Sequence, residues 1–269
     1  MDLPLDSDLA DDDSRTAERL TAMAIGAGAA ILRFDCRKVS TRHKGDESPV
    51  TLADEAAQTV ILRGLAESFP GVPVVSEEGD CRVAGPTFFL VDPLDGTREF
   101  LAGRDEYTVN IALVRDGVPV IGVVGAPALG LIWRGGGGHA ERVAVAPDGL
   151  SGAVTTVRTR AWPAQRVAAV SRSHYEPASA AFLQRFAPIT EHSCGSALKF
   201  CRIAEGAADL YPRLAPTSEW DVAAGHALVV AAGGAVMAPD GGLLSYGGEG
   251  FRVAGFVAWG DPAAARRPA

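Results

Sequence analysis

The chain has 269 residues, of which 47% are hydrophobic and 22% are charged, and this balance is typical of a soluble globular protein with one large core or two joined ones. Its net charge of −8 argues against binding to nucleic acid polymers, which requires a basic surface. No apolar run reaches the roughly 18 residues of a membrane span, and the acidic N-terminus resembles no targeting peptide. We therefore expect a cytoplasmic protein without a transmembrane segment, and leave open a peripheral association with the inner membrane.

The first elements in the chain are helical. Residues 1–13 are rich in aspartate and predict an acidic tail that does not pack. A helix is predicted next, because apolar residues recur there at spacings of three and four: Leu20, Met23, Ala24, Ala27, Ile31 and Phe34. A second helix follows the loop 44–50. Thr51 and Asp54 fit a capping box at its start, and Gly71 ends it.

The rest of the first half predicts strands. The segments "VPVVSEEG" (72–79) and "TFFLVD" (87–92) are short apolar runs that end in acidic residues. Asp116-Gly117 indicates a hairpin between strands at 107–114 and 118–124. Further strands are expected near 129–133, 140–145 and 153–158, with "RGGGGHA" (134–140) as a hairpin turn. This half predicts helices packed on an antiparallel sheet.

The second half alternates strands with helices, which is the pattern of an α/β layer. The expected organisation is therefore an acidic tail at 1–13, an α+β subdomain at 14–160 that carries a metal site, and an α/β subdomain at 161–269 that completes a cleft. The four cysteines show no Cys-x-x-Cys pair and no metal-ligand spacing with histidine, so we expect reduced thiols that fill apolar space: Cys36, Cys81, Cys194 and Cys201.

Five acidic residues stand at the ends of predicted elements rather than on solvent faces: Asp54, Glu77, Asp92, Asp95 and Asp221. Each has a purely structural explanation when taken alone. Asp221 fits a helix N-cap, Asp54 the capping box, and Asp92 a turn before proline. Glu77 fits a solvated loop.

The bend "DPLDGT" (92–97) favours a functional explanation. Pro93 holds Asp92 in an extended conformation, and Gly96 lets an anion approach its N–H because it has no Cβ. Thr97 begins a predicted short helix, whose first N–H groups are free to bind phosphate. Asp92 and Asp95 repel each other unless a cation lies between them. Oxygen ligands without nearby histidine or cysteine favour Mg²⁺ over zinc.

These motifs resemble those of a known family. "SPVTLADEAA", "SEEG", "DPLDGTREF" and "WDVAAGHALV" occur in the order and spacing of the metal-dependent, lithium-sensitive phosphatases of the inositol monophosphatase superfamily. "VSRSH" and "GSALKFCRIAEGAADLYPR" are most similar to the bacterial CysQ-type 3′(2′),5′-bisphosphate nucleotidases within it. The resemblance covers nearly the whole chain and implies a layered αβαβα sandwich of the inositol monophosphatase and fructose-1,6-bisphosphatase type.

The resemblance also implies roles for individual residues. Two or three Mg²⁺ ions are expected to bind Glu77, Asp92, Asp95, Asp221 and the backbone carbonyl of Leu94. Asp54 and Thr97, together with Glu77, are expected to hold and activate the attacking water. The Gly96 and Thr97 amides are expected to hold the scissile phosphate, with Asp95 and Asp221 also next to the substrate.

The expected substrate is 3′-phosphoadenosine 5′-phosphate (PAP), which would give AMP and phosphate, with the sulfated nucleotide PAPS as a second substrate. The uncut phosphate requires positive charge, and the candidates are Lys199 and Arg213, with Ser196 as a hydroxyl donor. Arg172 and His174 are weaker candidates for the nucleotide side. Arg98 is expected to be solvated.

Two alternatives stay open at this point. The same scaffold suits an inositol monophosphatase or another sugar-phosphate monoesterase. A silent metal- or nucleotide-binding protein that regulates a partner is the third hypothesis. The sequence predicts a monomer or a homodimer and does not decide between them.

Overall fold

The computed structural model describes residues 6–37, 41–43, 49–79, 83–146, 148–149 and 151–266. Cys81, part of the predicted acidic tail (1–5) and most of the predicted loop (44–48) lie outside the described residues. Within them, no helix is long and apolar enough to cross a membrane. The other three cysteines are free thiols.

In the described part of the chain, six α-helices form: α1 (Asp6–Ile31), α2 (Leu52–Ser68), α3 (Thr97–Leu101), α4 (Pro177–Gln184), α5 (Leu198–Ala204) and α6 (Ala223–Ala231). The predicted capping box at the start of α2 is present. The segment predicted as an acidic tail (1–13) is helical from Asp6 onward, because α1 begins there. Aspartates suit the positive end of a helix dipole, and Asp13 forms a 2.8 Å ion pair with Arg115.

Within the described residues, the first half contributes nine strands: β1 (Thr41–His43), β2 (Pro49–Thr51), β3 (Val74–Ser76), β4 (Thr87–Asp95), β5 (Thr108–Arg115), β6 (Val118–Ala126), β7 (Leu131–Gly136), β8 (His139–Val145) and β9 (Ser151–Thr156). Strands β3 to β9 form a seven-stranded sheet in chain order, antiparallel except for the β3–β4 pair. The predicted turns are confirmed. Asp116 and Gly117 have φ of 49° and 76°, and Gly137 and Gly138 have 57° and 77°, as a two-residue hairpin turn requires.

The described residues of the second half contribute seven strands: β10 (Arg166–Ser171), β11 (Ile189–Cys194), β12 (Leu210–Arg213), β13 (Thr217–Ser218), β14 (Ala235–Met237), β15 (Arg252–Val253) and β16 (Phe256–Trp259). Five of them form a mixed sheet in the order β11-β10-β12-β16-β14. The apolar segment 251–259 predicts one final strand, but it is split in two, because β15 pairs with β13 while β16 joins the five-stranded sheet. Short 3₁₀ turns include Glu219–Asp221, directly before α6.

Three apolar clusters stack these elements into five layers. Phe89 and Val91 of β4 face α1 and α2, whereas Phe88 and Leu90 of the same strand face α5 and α6. The five-stranded sheet covers the other side of α5 and α6, and its far face packs against α4. The order is helices, sheet, helices, sheet, helix, so the implied αβαβα sandwich is confirmed. Gly122 permits the close packing of α6 on the sheet, because a Cβ there would lie 2.1 Å from the Ala224 carbonyl oxygen.

Candidate active site

A β-bulge in β4 brings two acidic residues to the same side of the strand. Asp92 pairs with Asn110 and Asp95 pairs with Thr108, so three steps on β4 oppose two steps on β5. In a regular strand, residues three apart point to opposite faces. The bulge removes this mismatch and turns the Asp95 side chain towards Asp92. The sequence predicted a strand that ends before the bend, but β4 continues through it to Asp95.

The bulge in β4 and the 3₁₀ turn before α6 bring three carboxylates together in an acidic cluster. Carboxylate oxygens of Asp92, Asp95 and Asp221 all lie within 4.8 Å of one another, although Asp221 is 126 residues further along the chain than Asp95. Glu77 lines the same cavity, and its carboxyl group is hydrogen-bonded to Asp92. Convergent oxygens of this kind are the ligands that hard divalent cations prefer, so the cluster fits a metal site.

The electrostatics of the cluster favour a cation. Burial, followed by the charges of Glu77, Asp95 and Asp221, raises the pKa of Asp92 well above its ordinary value. Burial and then the Asp95 charge raise the pKa of Asp221 to about 7. Carboxylates that repel one another in a buried place prefer to be protonated, and a divalent cation removes that preference.

Each of the three carboxylates accepts a hydrogen bond from a neighbouring amide or hydroxyl group. The Leu94 amide donates to Asp92 Oδ1 at 3.1 Å, and the Ser196 hydroxyl donates to Asp95 Oδ2 at 2.6 Å. The Thr217 hydroxyl and the Ser218 amide donate to Asp221. Asp221 is therefore the third residue of a capping box on the 3₁₀ turn, and it is not the N-cap that its structural alternative required. These bonds fix the orientation of the carboxylates before any ligand arrives.

Asp54 and Thr97 meet at the edge of the cluster. The Thr97 hydroxyl lies 3.4 Å from Asp54 Oδ1 and 3.2 Å from the Leu94 carbonyl oxygen. Because a hydroxyl has one proton, these two acceptors compete for it. The pair is assembled as the sequence predicted, and its role in activating water stays a prediction.

The end of the bend that was predicted to bind phosphate has a left-handed glycine. Gly96 has φ of 89° and stands immediately before α3, which is only five residues long. A Cβ at Gly96 would lie 3.3 Å from both the Glu106 carbonyl oxygen and the Ser196 Cβ, so a side chain is strained there and also crowded. The short helix confirms the predicted element.

The predicted substrate residues Ser196 and Lys199 are already engaged. The Ser196 hydroxyl also lies 3.1 Å from the Asp95 carbonyl oxygen, in addition to its bond to the carboxylate. Lys199 is buried, and its Nζ donates to the carbonyls of Ser196 at 2.5 Å and Cys194 at 3.3 Å. Both residues line the cavity. Their hydrogen bonds hold the turn after β11 next to Asp95.

Basic side chains line the same cavity as the acidic cluster. Arg213 points there from the end of β12, and among the described residues its buried Nε has no hydrogen-bond partner. Burial tends to lower the pKa of Arg213, but Tyr211 and the carboxylates of Asp221 and Asp95 raise it overall. Arg98 Nη1 lies 3.4 Å from His174 Nε2. Burial, followed by the charges of Arg213 and Arg98, lowers the pKa of His174 below its ordinary value, although Glu99 and Asp95 act in the opposite direction.

Two arginines near the bend have different surroundings. Arg172, a weaker candidate for the nucleotide side, does not line this cavity, and its guanidinium donates to Glu106 at 2.6 and 2.7 Å. Arg98 is exposed, as expected, and it also lines the cavity. Both positions depend on how the segment after β10 folds over α3, which no local pattern reveals.

Several polar residues of the site were not predicted from the sequence. Thr108 and Asn110 of β5 are fully buried, and their side chains lie 3.5 Å and 3.3 Å from Asp95 Oδ2. Glu99 is buried beside Gly96, where it accepts a hydrogen bond from Ser173. Arg252 lines the cavity near Ser218. Thr108 and Asn110 could have been found in the sequence, because they are polar residues within the apolar run of β5.

Comparisons with known proteins agree with this architecture. The sequence model of the inositol monophosphatase family matches residues 12–265. The 3′(2′),5′-bisphosphate nucleotidase CysQ of Salmonella typhimurium is 43% identical over 250 residues, which is 88% of this chain and 98% of that protein. The histidinol-phosphatase of Mycobacterium tuberculosis is 33% identical over 260 residues, which is 90% of each. The crystal structure of CysQ from Bacteroides thetaiotaomicron has a TM-score of 0.78 at 33% identity and covers 91% of this chain and 97% of that one.

The fold, the acidic cluster and these similarities together define the class. The chain belongs to the inositol monophosphatase family, whose members are metal-dependent phosphatases, and the cluster of Asp92, Asp95 and Asp221 is suited to the metal. The predicted similarity to CysQ-type nucleotidases is also confirmed, since such proteins match nearly the whole chain.

Proposed function

We propose that the protein is a Mg²⁺-dependent phosphatase that removes the 3′-phosphate of PAP to give AMP and phosphate, with PAPS as a second substrate. The observation that carries the proposal is that one cavity of about 310 Å³ is lined both by the carboxylates of Asp92, Asp95 and Asp221 and by the basic side chains of Arg213, Arg98 and His174. A substrate with one phosphate to be cut and a second anionic group fits this arrangement. The similarity to proteins named 3′(2′),5′-bisphosphate nucleotidase supports the nucleotide.

We assign the metal-binding role to Glu77, Asp92, Asp95, Asp221 and the carbonyl of Leu94, for two or three Mg²⁺ ions. The carboxylates converge within reach of one cation, and the donors that fix them leave oxygen atoms for it. When bound, Mg²⁺ neutralises phosphate charge, lowers the pKa of water and stabilises the leaving oxygen. Lithium is expected to compete at one of these positions.

We assign the orientation of the attacking water to Thr97 and Asp54, with Glu77 as the third catalytic group. If the Thr97 hydroxyl donates its hydrogen bond to Asp54, a lone pair of its oxygen is left to accept a hydrogen bond from the water. This turns the water oxygen towards phosphorus, and attack in line needs no histidine base. The 3.4 Å separation of the two side chains supports this assignment.

We assign the substrate-binding roles from the positions of the residues in the cavity. The Gly96 and Thr97 amides hold the scissile phosphate, next to Asp95 and Asp221. Arg213 binds the second anionic group, because its buried Nε lacks a protein partner among the described residues. Ser196 and Lys199 contribute at the same corner, and their hydrogen bonds to Asp95 and to backbone carbonyls indicate that they also shape it.

The two sheets support the proposed division into subdomains 14–160 and 161–269, with the cavity between them. Its lining comes from both halves, since Asp92 and Asp95 belong to the first and Arg213 and Asp221 to the second. The choice between a monomer and a homodimer, and the cytoplasmic location, stay predictions.

Phosphate release tests the proposal. Purified protein is assayed with Mg²⁺ on PAP, PAPS, inositol 1-phosphate and histidinol phosphate, with EDTA as the control. We expect kcat/KM for PAP to exceed that for the inositol ester by at least about tenfold, which is 1.4 kcal/mol of transition-state binding. Preference for inositol 1-phosphate by that margin would make the protein an inositol or sugar-phosphate monoesterase. Binding of PAP without release would instead indicate a silent nucleotide-binding protein.

A further inference from the structure

The two oxygens of the Asp54 carboxylate have different partners. Oδ2 accepts the Thr51 amide at 2.9 Å and the Thr51 hydroxyl at 2.6 Å, whereas Oδ1 faces Thr97 at 3.4 Å. Asp54 and Thr51 are each only 2% exposed. One end of the carboxylate therefore belongs to the cap of α2, and the other end belongs to the active site.

The Thr51 hydroxyl makes more bonds than helix capping requires. In a capping box the hydroxyl accepts a backbone N–H, and the carboxylate accepts the N–H of the capping residue. The hydroxyl proton has no part in that exchange. Here the Thr51 oxygen accepts the Ala53 amide at 3.1 Å, and its proton is additionally donated to Asp54. This extra bond acts on the carboxylate and leaves the helix ladder unchanged.

We propose that Thr51 is a positioning residue for the phosphatase reaction, which acts by holding Asp54 with Oδ1 towards Thr97. The terminal torsion of an aspartate is broad, so a carboxylate with a single partner can rotate. Two donors from one residue fix Oδ2 and thereby fix Oδ1 as well. The inference rests on the proposed role of Asp54 and Thr97 and is independent of which phosphate ester is the substrate.

Three variants separate positioning from capping. Thr51→Val keeps the shape and removes both the cap and the hydroxyl, while Thr51→Gly removes the hydroxyl and retains most of the capping stability. We expect both to lower kcat by at least about tenfold with KM changed less than about threefold, as for other groups that orient catalytic ligands. Thr51→Ser is expected to restore most of kcat. Only Thr51→Val is expected to lower the Tm clearly.

A double-mutant cycle tests whether Thr51 acts through Asp54. In the Asp54→Asn background, adding Thr51→Val is expected to cost less than about twofold further in kcat, because the group being oriented has gone. A full additive loss would overturn the proposal, as would wild-type kcat in Thr51→Gly.

The cycle is measured on whichever phosphate ester the wild type hydrolyses fastest. If that ester is inositol 1-phosphate, the nucleotide assignment fails while the Thr51 proposal is still decided by the same variants. If the Mg²⁺-loaded wild type hydrolyses no ester of the panel, both proposals are overturned.

Discussion

The cavity is lined by two sets of charged side chains, the carboxylates of Asp92, Asp95 and Asp221 (here its acidic end) and Arg98, His174 and Arg213 (here its basic end), and the two sets are held in different ways. At the acidic end, buried or half-buried carboxylates are tied by fixed donors, such as the Ser196 hydroxyl on Asp95 at 2.6 Å. At the basic end, Arg98 and His174 are exposed and lie 3.4 Å apart, and the Nε of Arg213 lacks a partner in the described part of the chain. The acidic end is fixed before any ligand binds, whereas the basic end keeps donor capacity for one.

This difference suggests a division of labour. Groups fixed on a bulged strand and on capped turns suit a reaction in which small displacements reduce the rate strongly. Groups at loop and strand ends suit the recognition of a particular substrate. Variants at the acidic end should therefore reduce turnover of every substrate, and variants at the basic end should affect the choice among substrates.

The largest effect is expected from Asp95→Asn. This change removes one ligand charge without changing core packing, so kcat should fall by at least about a hundredfold on every substrate while the Tm stays close to that of the wild type. Phosphate release and thermal unfolding provide the measurement. Asp105→Asn, at an exposed position outside the cavity, is the matched control and should keep full activity. Turnover of Asp95→Asn within a few-fold of wild type would remove Asp95 from the site.

A selective effect is expected from Arg213→Ala. Loss of a charged hydrogen bond to the uncut phosphate should raise KM for PAP by about 10- to 100-fold. KM for inositol 1-phosphate, which has no second phosphate, should change less than about threefold. Arg63→Ala on the exposed face of α2 is the control. Equal losses on both substrates would mean that the basic end serves the reaction and not the selection of substrate.

A smaller effect is expected from Thr108→Val, which removes a buried hydroxyl 3.5 Å from Asp95 Oδ2. The variant should require about tenfold more Mg²⁺ for half-maximal activity, because the ligand is less firmly oriented. Thr59→Val removes a hydroxyl that bonds only its own helical turn and should leave the Mg²⁺ requirement unchanged. An unchanged requirement in Thr108→Val would show that the bulge alone orients Asp95.

The smallest effect concerns stability against pH. The pKa of Asp221 is raised from 3.8 to about 7 in the folded chain, so the folded state binds more protons than the unfolded state between these values. Stability from this group is therefore present below pH 4 and is lost as pH rises through 7. In EDTA the Tm should fall by about 5 °C more between pH 5 and 8 in the wild type than in Asp221→Asn. The same pH slope in both proteins would contradict the buried acidic cluster.

Local signals predicted much of the fold. The capping box at Thr51 and the turns at Asp116-Gly117 and Gly137-Gly138 depend on residues next to each other, and all three are present. The continuation of β4 through Pro93 was missed, because the proline indicates a strand end unless a bulge accommodates it. The N-terminal extension of α1 was missed because an ion pair with distant Arg115 stabilises it.

The site was predictable where its residues are adjacent in sequence. Asp92, Asp95, Gly96 and Thr97 share one motif, and Asp221 was joined to them only through the family resemblance. Thr108, Asn110 and Glu99 were missed, since their roles come from strand pairing and from packing against the second half. Arg172 was misplaced for the same reason, because its partner Glu106 is 66 residues away.

The central claim is that Asp92, Asp95 and Asp221 bind a divalent cation beside a phosphate cradle. A crystal grown with Mn²⁺, which has a usable anomalous signal, tests it most directly. The account predicts an anomalous peak coordinated by oxygens of all three side chains, and its loss in Asp95→Asn. Three carboxylates spread apart with no peak between them would contradict the account.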